Sequence, residues 1–136
     1  MSTIADQLKK SGLVQIGPSE IWIVRDSVVI FPEDRREGQK STKHERRFVL
    51  VLSNDWICEA LDCPCVQVAP LSHQNNFLST AEIDIKKSPD NGLEHDSRLA
   101  LGHSQPLLKT DLQTRTGKLS DADWVRVIKK IYWNFQ

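Results

Sequence analysis

The feature that most limits the fold of this chain is Arg46-Arg47-Phe48-Val49-Leu50-Val51-Leu52, an unbroken apolar run behind two cations. Apolar residues at every position, rather than at every second one, suit a strand buried on both faces at the centre of a sheet. The run stops at Ser53-Asn54-Asp55. Asn54 or Asp55 can accept from the exposed amides of a first helical turn, which predicts a short helix over Trp56 to Leu61, closed by Asp62.

Such a strand needs neighbours. Glu20 to Arg25 is β-branched and aromatic and continues through Val28-Val29-Ile30-Phe31, predicting one strand bulged at Asp26-Ser27. Cys65 to Leu71 and Ala81 to Ile85 alternate apolar with polar, and Arg98 to Leu101 adds a further strand. The connections between them carry Asn75-Asn76 and Ser88-Pro89-Asp90-Asn91-Gly92, residues that favour turns, so hairpins are expected.

The flanking segments differ in kind. Ile4 and Leu8 at helical spacing, stopped by Ser11-Gly12, predict a helical extension over residues 1–16. Residues 32–45 are wholly polar and predict a mobile loop, of a length more often functional than decorative. At the other end, Ser120 followed by Asp123 resembles a capping box. The helix it opens sets Trp124, Val125, Ile128, Ile131 and Tyr132 on a face expected to cover the sheet, with Arg126, Lys129 and Lys130 opposite. The fold class is therefore α+β: residues 1–136 as one domain, with a strongly twisted antiparallel sheet curling toward a barrel and a C-terminal amphipathic helix.

The 18 basic residues balance the 18 acidic ones, so any nucleic-acid site must be a local patch. No apolar run is long enough to span a bilayer and the N-terminus lacks a secretory core, so a soluble cytoplasmic protein is expected. Cys58, Cys63 and Cys65 are odd in number, crowded together and without a matching fourth ligand. Reduced thiols are expected, and no zinc. Trp22, Trp56, Trp124 and Trp133 fall in predicted strands and helices, which favours core or subunit packing over base stacking.

Taken in order, the motifs resemble a known family. Arg47 to Asp55 is similar to the MazF/PemK toxin motif of an arginine, an apolar strand and a terminal Ser-Asn-Asp, with Phe48 at the usual proline. Ile21-Trp22-Ile23-Val24 stands at that family's Gly-x-Ile-Val-Leu-Val strand. Val68-Ala69-Pro70-Leu71-Ser72 resembles Val-x-Pro-Ile-Thr-Ser, with Ser72 at the position of the catalytic threonine. Gly92-Leu93, Asp96 to Leu101 and Gly117 to Asp121 follow in family order, so the resemblance spans about residues 17 to 135. It breaks at His103 to Leu108, where MazF has Gln-Ile-Arg-Thr and PemK relatives place an arginine and an aspartate.

The resemblance implies a small SH3-like, PemK-type barrel and the toxin component of a type II toxin–antitoxin system. It further implies cleavage of single-stranded mRNA by ribose 2′-hydroxyl attack on the adjacent phosphate, without metal or other cofactor. A homodimer and a neutralising antitoxin come with it. Charge growing on a pentavalent phosphorane calls for fixed cations and donors. Arg47 suits that role because its fork holds two phosphate oxygens and stays protonated. Ser72 would donate to the same phosphate or orient the 2′-hydroxyl. The proton acceptor is open among His73, His103, Glu45 and His44. Arg35, Arg36, Lys40, Lys43 and Arg46 are the candidates for tracking RNA phosphates, although Glu33, Asp34, Glu37 and Glu45 dilute the patch.

Without the family pattern, Arg46 and Arg47 read as solvated charges guarding a buried strand, and Ser72 as a turn hydroxyl. Gln105, where a second family arginine would stand, motivates another reading. There the chain is a catalytically impaired PemK-fold binding protein, acting on RNA or, like gyrase-poisoning toxins, on a protein target. A plain interaction domain without toxin activity is the third.

Overall fold

The computed structural model describes residues 15–31, 45–73 and 81–134. Residues 1–14 of the expected extension, 32–44 of the expected loop and 74–80, which include Asn75-Asn76, lie outside them. The described elements are β1 (Glu20–Arg25), β2 (Arg46–Val51), α1 (Asp55–Glu59), β3 (Cys65–Ser72), β4 (Glu82–Ile85), β5 (Ser97–Ala100), β6 (Gln105–Leu108), β7 (Thr114–Lys118) and α2 (Asp121–Asn134). All strand pairs are antiparallel, in the order β4-β5-β3-β2-β1-β7, with β6 also pairing β3.

The two-faced run sits where its composition requires, between β1 and β3. Val49 and Val51 enter one core with Val24, Val68 and Phe31. Leu50, with Phe48 packed beside it, enters another with Ile21, Leu71, Leu99 and Val127. β3 is shared along its length: Cys65 to Val68 pair with β6, whereas Leu71 and Ser72 pair with β5. That division makes the sheet curl without closing.

The end of β2 explains its Ser-Asn-Asp. The Ser53 hydroxyl accepts from the Gln67 amide at 2.8 Å, tying the chain to β3. Asn54 Oδ1 accepts from the Ile57 amide at 3.1 Å, capping α1. The helix ends at Glu59, two residues sooner than expected. The buried Lys109 ammonium donates to the Ala60 carbonyl at 2.8 Å, satisfying an acceptor beyond that end. Cys58 faces inward, and burial pushes its thiol up from 9.0 to about 11, against a smaller opposing influence of Lys109.

Three expectations change. The first strand does not run on to Phe31: it ends at Arg25, and Asp26–Val28 form a 3-10 turn. Two strands, β6 and β7, were not anticipated because Pro106 and the polar Thr114-Arg115-Thr116 carry little strand signal. The terminal helix is capped as expected, with the Asp123 amide donating to Ser120 Oγ at 3.1 Å, but it faces the sheet differently. Val127 is fully buried, flanked by Trp124 and Ile131, while Val125, Ile128 and Tyr132 are exposed. The helix has apolar residues on two sides, and spacing alone does not say which one the sheet takes.

A close backbone crossing secures β7. Gly92, at φ +69, has the Thr116 carbonyl 2.3 Å from where a Cβ would stand, and at Gly117 the Asp90 carbonyl is 2.2 Å away. Thr116 bulges out of the β1–β7 ladder here, its hydroxyl donating toward the Ile21 and Asn91 carbonyls. Gly92→Ala meets both a left-handed backbone and a backbone clash and is expected to cost about 2 kcal/mol or more, read from the urea midpoint.

A second prediction concerns alkali. The fold holds the Cys58 thiol protonated up to about pH 11, whereas the unfolded chain releases that proton near 9.0. This contribution is whole below pH 9 and disappears as pH rises through about 11, by about 3 kcal/mol at most. Urea titrations of wild type and Cys58→Ala across this window should show the slope in the first and its absence in the second.

Candidate active site

The paired arginines leave β2 at the rim of the sheet. Side chains alternate across a strand, so the two cannot share a face. The register that sets Phe48 opposite Leu71, continued outward, puts Arg47 opposite Ser72 and Arg46 opposite His73. Arg47 and Ser72 thus belong to one side, Arg46 and His73 to the other. The sides meet in a cleft of about 310 Å³ lined by Glu45, Arg46, Arg47, Phe48, Leu71, Ser72, His73, Glu94 and His95.

Arg47 is anchored. Only 5% of its side chain is exposed, its Nε donates to Asp26 Oδ1 at 2.8 Å, and its Cζ lies 4.6 Å from the centre of the Phe31 ring. The early end of β1 makes this possible, since the 3-10 turn swings Asp26 back over the strand and its amide donates to the Glu45 carbonyl. Among the described residues Asp26 is the one side chain bonded to Arg47, and it takes the Nε edge of the guanidinium. Arg46 is instead exposed and paired with Glu94.

Of the residues singled out from sequence, Glu45, Arg46, Arg47, Ser72 and His73 come together in the cleft. His103 and Gln105 do not line it. His103 packs against Phe31 at 5.2 Å between ring centres, on the ring that also contacts Arg47. Gln105 accepts from the Ile30 amide and donates to the Ile30 carbonyl, each at 2.9 Å, holding the chain before Phe31 in place. Both support the arginine from a distance. Arg35, Arg36, Lys40, Lys43 and His44 lie outside the described residues.

Sequence reading missed Asp26, Phe31, Glu94 and His95. The last two come from the connection before β5, whose shape depends on the buried Asn91. Its Oδ1 accepts from the Ser88 and Leu93 amides and its Nδ2 donates to the Lys86 carbonyl. Asn91-Gly92 was legible as a turn; what that turn delivers to the cleft was not. Among the described residues no cluster of three or more His, Cys, Asp or Glu could hold a metal, and the three thiols are unpaired with one another. No described helix is long and apolar enough to cross a membrane.

Removing Asp26 leaves a nearly buried guanidinium without its carboxylate. Asp26→Ala is expected to cost about 3 kcal/mol in chemical denaturation, and Asp26→Asn less because an acceptor oxygen remains.

Comparison with known proteins agrees with this architecture. The fold is shared with the Mycobacterium tuberculosis toxin MazF-mt6 at a TM-score of 0.61 and 21% identity, covering 85% of this chain and 95% of that one. A mycobacterial endoribonuclease solved with its cognate antitoxin matches at 0.60 and 11% identity, covering 85% and 90%. A further M. tuberculosis toxin matches at 0.53 and 24%, covering 62% and 88%. Among curated proteins none matches the sequence. The family model for the PemK-like, MazF-like toxin of type II toxin–antitoxin systems matches residues 21–135, nearly the whole chain, and the protein belongs to that family.

Proposed function

We propose that this toxin is a metal-independent endoribonuclease that cuts single-stranded mRNA by attack of a ribose 2′-hydroxyl on the adjacent phosphate. The observation that carries the reading is the arrangement of Arg47: buried, gripped through Nε by Asp26, and lining the same cleft as Ser72. A guanidinium fixed before substrate arrives needs no reorganisation as charge accumulates on the phosphorane. Ser72, on the same side of the sheet, supplies a hydroxyl to the same phosphate or to the 2′-hydroxyl.

Arg35, Arg36, Lys40, Lys43 and Arg46 would follow the RNA backbone on either side of the cut. The exposed stripe of Val125, Ile128 and Tyr132 on α2 supports pairing with a second copy. A separate antitoxin, of the kind present in the mycobacterial complex, would restrain the enzyme in the cytoplasm by covering the cleft. The whole chain, residues 1–136, is read as one domain serving this activity.

One observation favours a second reading. Both cleft arginines already face carboxylates, Asp26 and Glu94, so the site's surplus positive charge is small. A PemK-fold protein that binds RNA or a protein target without cutting would tolerate this better than a nuclease.

Incubating the full chain with mixed-sequence single-stranded RNA in EDTA separates the two. Wild type is expected to leave cyclic phosphate and 5′-hydroxyl ends, and Arg47→Ala to cut about 10²–10³-fold more slowly. RNA bound but intact would establish the second reading, and equal cutting by the variant would remove Arg47 from the chemistry.

A further inference from the structure

His73 and His95 arrive at the cleft from segments far apart in the chain and stop face to face. Their ring centres are 4.5 Å apart and their planes inclined by 32°. His73 follows Ser72 at the end of β3, while His95 sits between the Asn91 turn and β5.

Both rings are exposed, yet the backbone beneath His95 is fixed. The Ser97 hydroxyl donates to the His95 carbonyl at 2.8 Å, and the next residue, Asp96, accepts from the Lys87 amide at 2.9 Å. Two solvent-facing rings, that of His95 on a tied-down chain, lie at the cleft rather than in the core.

The proposed reaction needs two proton transfers that Arg47 cannot perform. One group must take the 2′-hydroxyl proton, and another must protonate the departing 5′-oxygen. A guanidinium remains protonated throughout, and a serine hydroxyl is a poor base. Imidazole is the side chain suited to either task near neutral pH. His103, the other described histidine considered from sequence, is packed on Phe31 and does not line the cleft.

We propose that His73 and His95 are the acid–base pair of this toxin, a proposal that rests on the endoribonuclease reading above. His73, adjacent to Ser72, accepts the 2′-hydroxyl proton as the new O2′–P bond forms. His95 gives its proton to the 5′-oxygen as the P–O5′ bond breaks. The products are a 2′,3′-cyclic phosphate and a 5′-hydroxyl, and exchange with water returns both rings to their starting states. Among the described residues, the charged groups lining the cleft with the pair are Glu45, Arg46 and Arg47 at the start of β2 and Glu94 beside His95, with Asp96 next in the chain. Of these, Arg46 pairs with Glu94, Arg47 with Asp26, and Asp96 with the Lys87 amide.

The test uses the full chain, end-labelled mixed-sequence RNA, and His73→Gln and His95→Gln. Each variant is expected to lower the cleavage rate about 10²-fold or more while binding RNA within about twofold of wild type. The wild-type pH–rate profile should be bell-shaped, each variant losing one limb. RNA carrying a 5′-thio leaving group, which departs without a proton, should restore His95→Gln and leave His73→Gln slow.

If wild type cuts and both variants cut equally well, the proposal fails while the nuclease reading stands. Rescue of His73→Gln instead would overturn the assigned roles. Wild type that leaves all RNA intact would overturn the nuclease reading and this proposal together.

Discussion

The structure depends on a single strand having two buried faces. β2 places Val49 and Val51 in one core and Leu50 in the other, with Phe48 packed against the second. A strand in that position must be paired on both edges and covered on both sides, which fixes β1 and β3 beside it. The cleft follows from the same periodicity. Where β2 meets the rim, alternation sends Arg47 toward Asp26 and Phe31, and Arg46 toward Glu94. The Arg47 side and the imidazole-bearing side are two faces of one sheet, adjacent because the strands end there.

Burying Arg47 carries a desolvation cost that one carboxylate and one aromatic face offset only in part. What is gained is geometry. Asp26 holds the Nε edge of the guanidinium, and the Phe31 ring lies against its plane. A lysine would keep the charge but lose the planar contact with Phe31 and the fork that binds two oxygens. His103 and Gln105, at the stretch where the family motif breaks, support this arrangement through Phe31 and Ile30. That departure therefore removes an expected pair of polar groups without weakening the arginine that remains.

What could be read from sequence was what local physics decides. The two-faced run, the Asn54 cap, the Ser120 cap and the turn at Asn91-Gly92 each depend on residues within a few positions, and each is present. The misses depend on partners distant in the chain. Val28 to Phe31 has strand composition, yet the path breaks at Asp26, whose carboxylate answers an arginine 21 residues on. Val127 rather than Val125 or Ile128 enters the core because the sheet, not the helix, chooses between two apolar sides. β6 and β7 are held by pairing with β3 and β1 more than by their own composition.

The cleft draws these distant pieces together. Asp26 and Phe31 follow β1, Glu45 to Arg47 open β2, Ser72 and His73 end β3, and Glu94 and His95 precede β5. The last pair depends in turn on Gly92, whose turn fits only against the Thr116–Gly117 crossing of β7. Hence no single hairpin contains the cleft, and its lining residues converge only when strands from both ends of the chain have paired. Because closing such long connections is the slow part of assembling a sheet, the cleft should be among the last features to form. The cleft therefore belongs to the finished sheet, and a fragment lacking any of these strands would lack part of its lining.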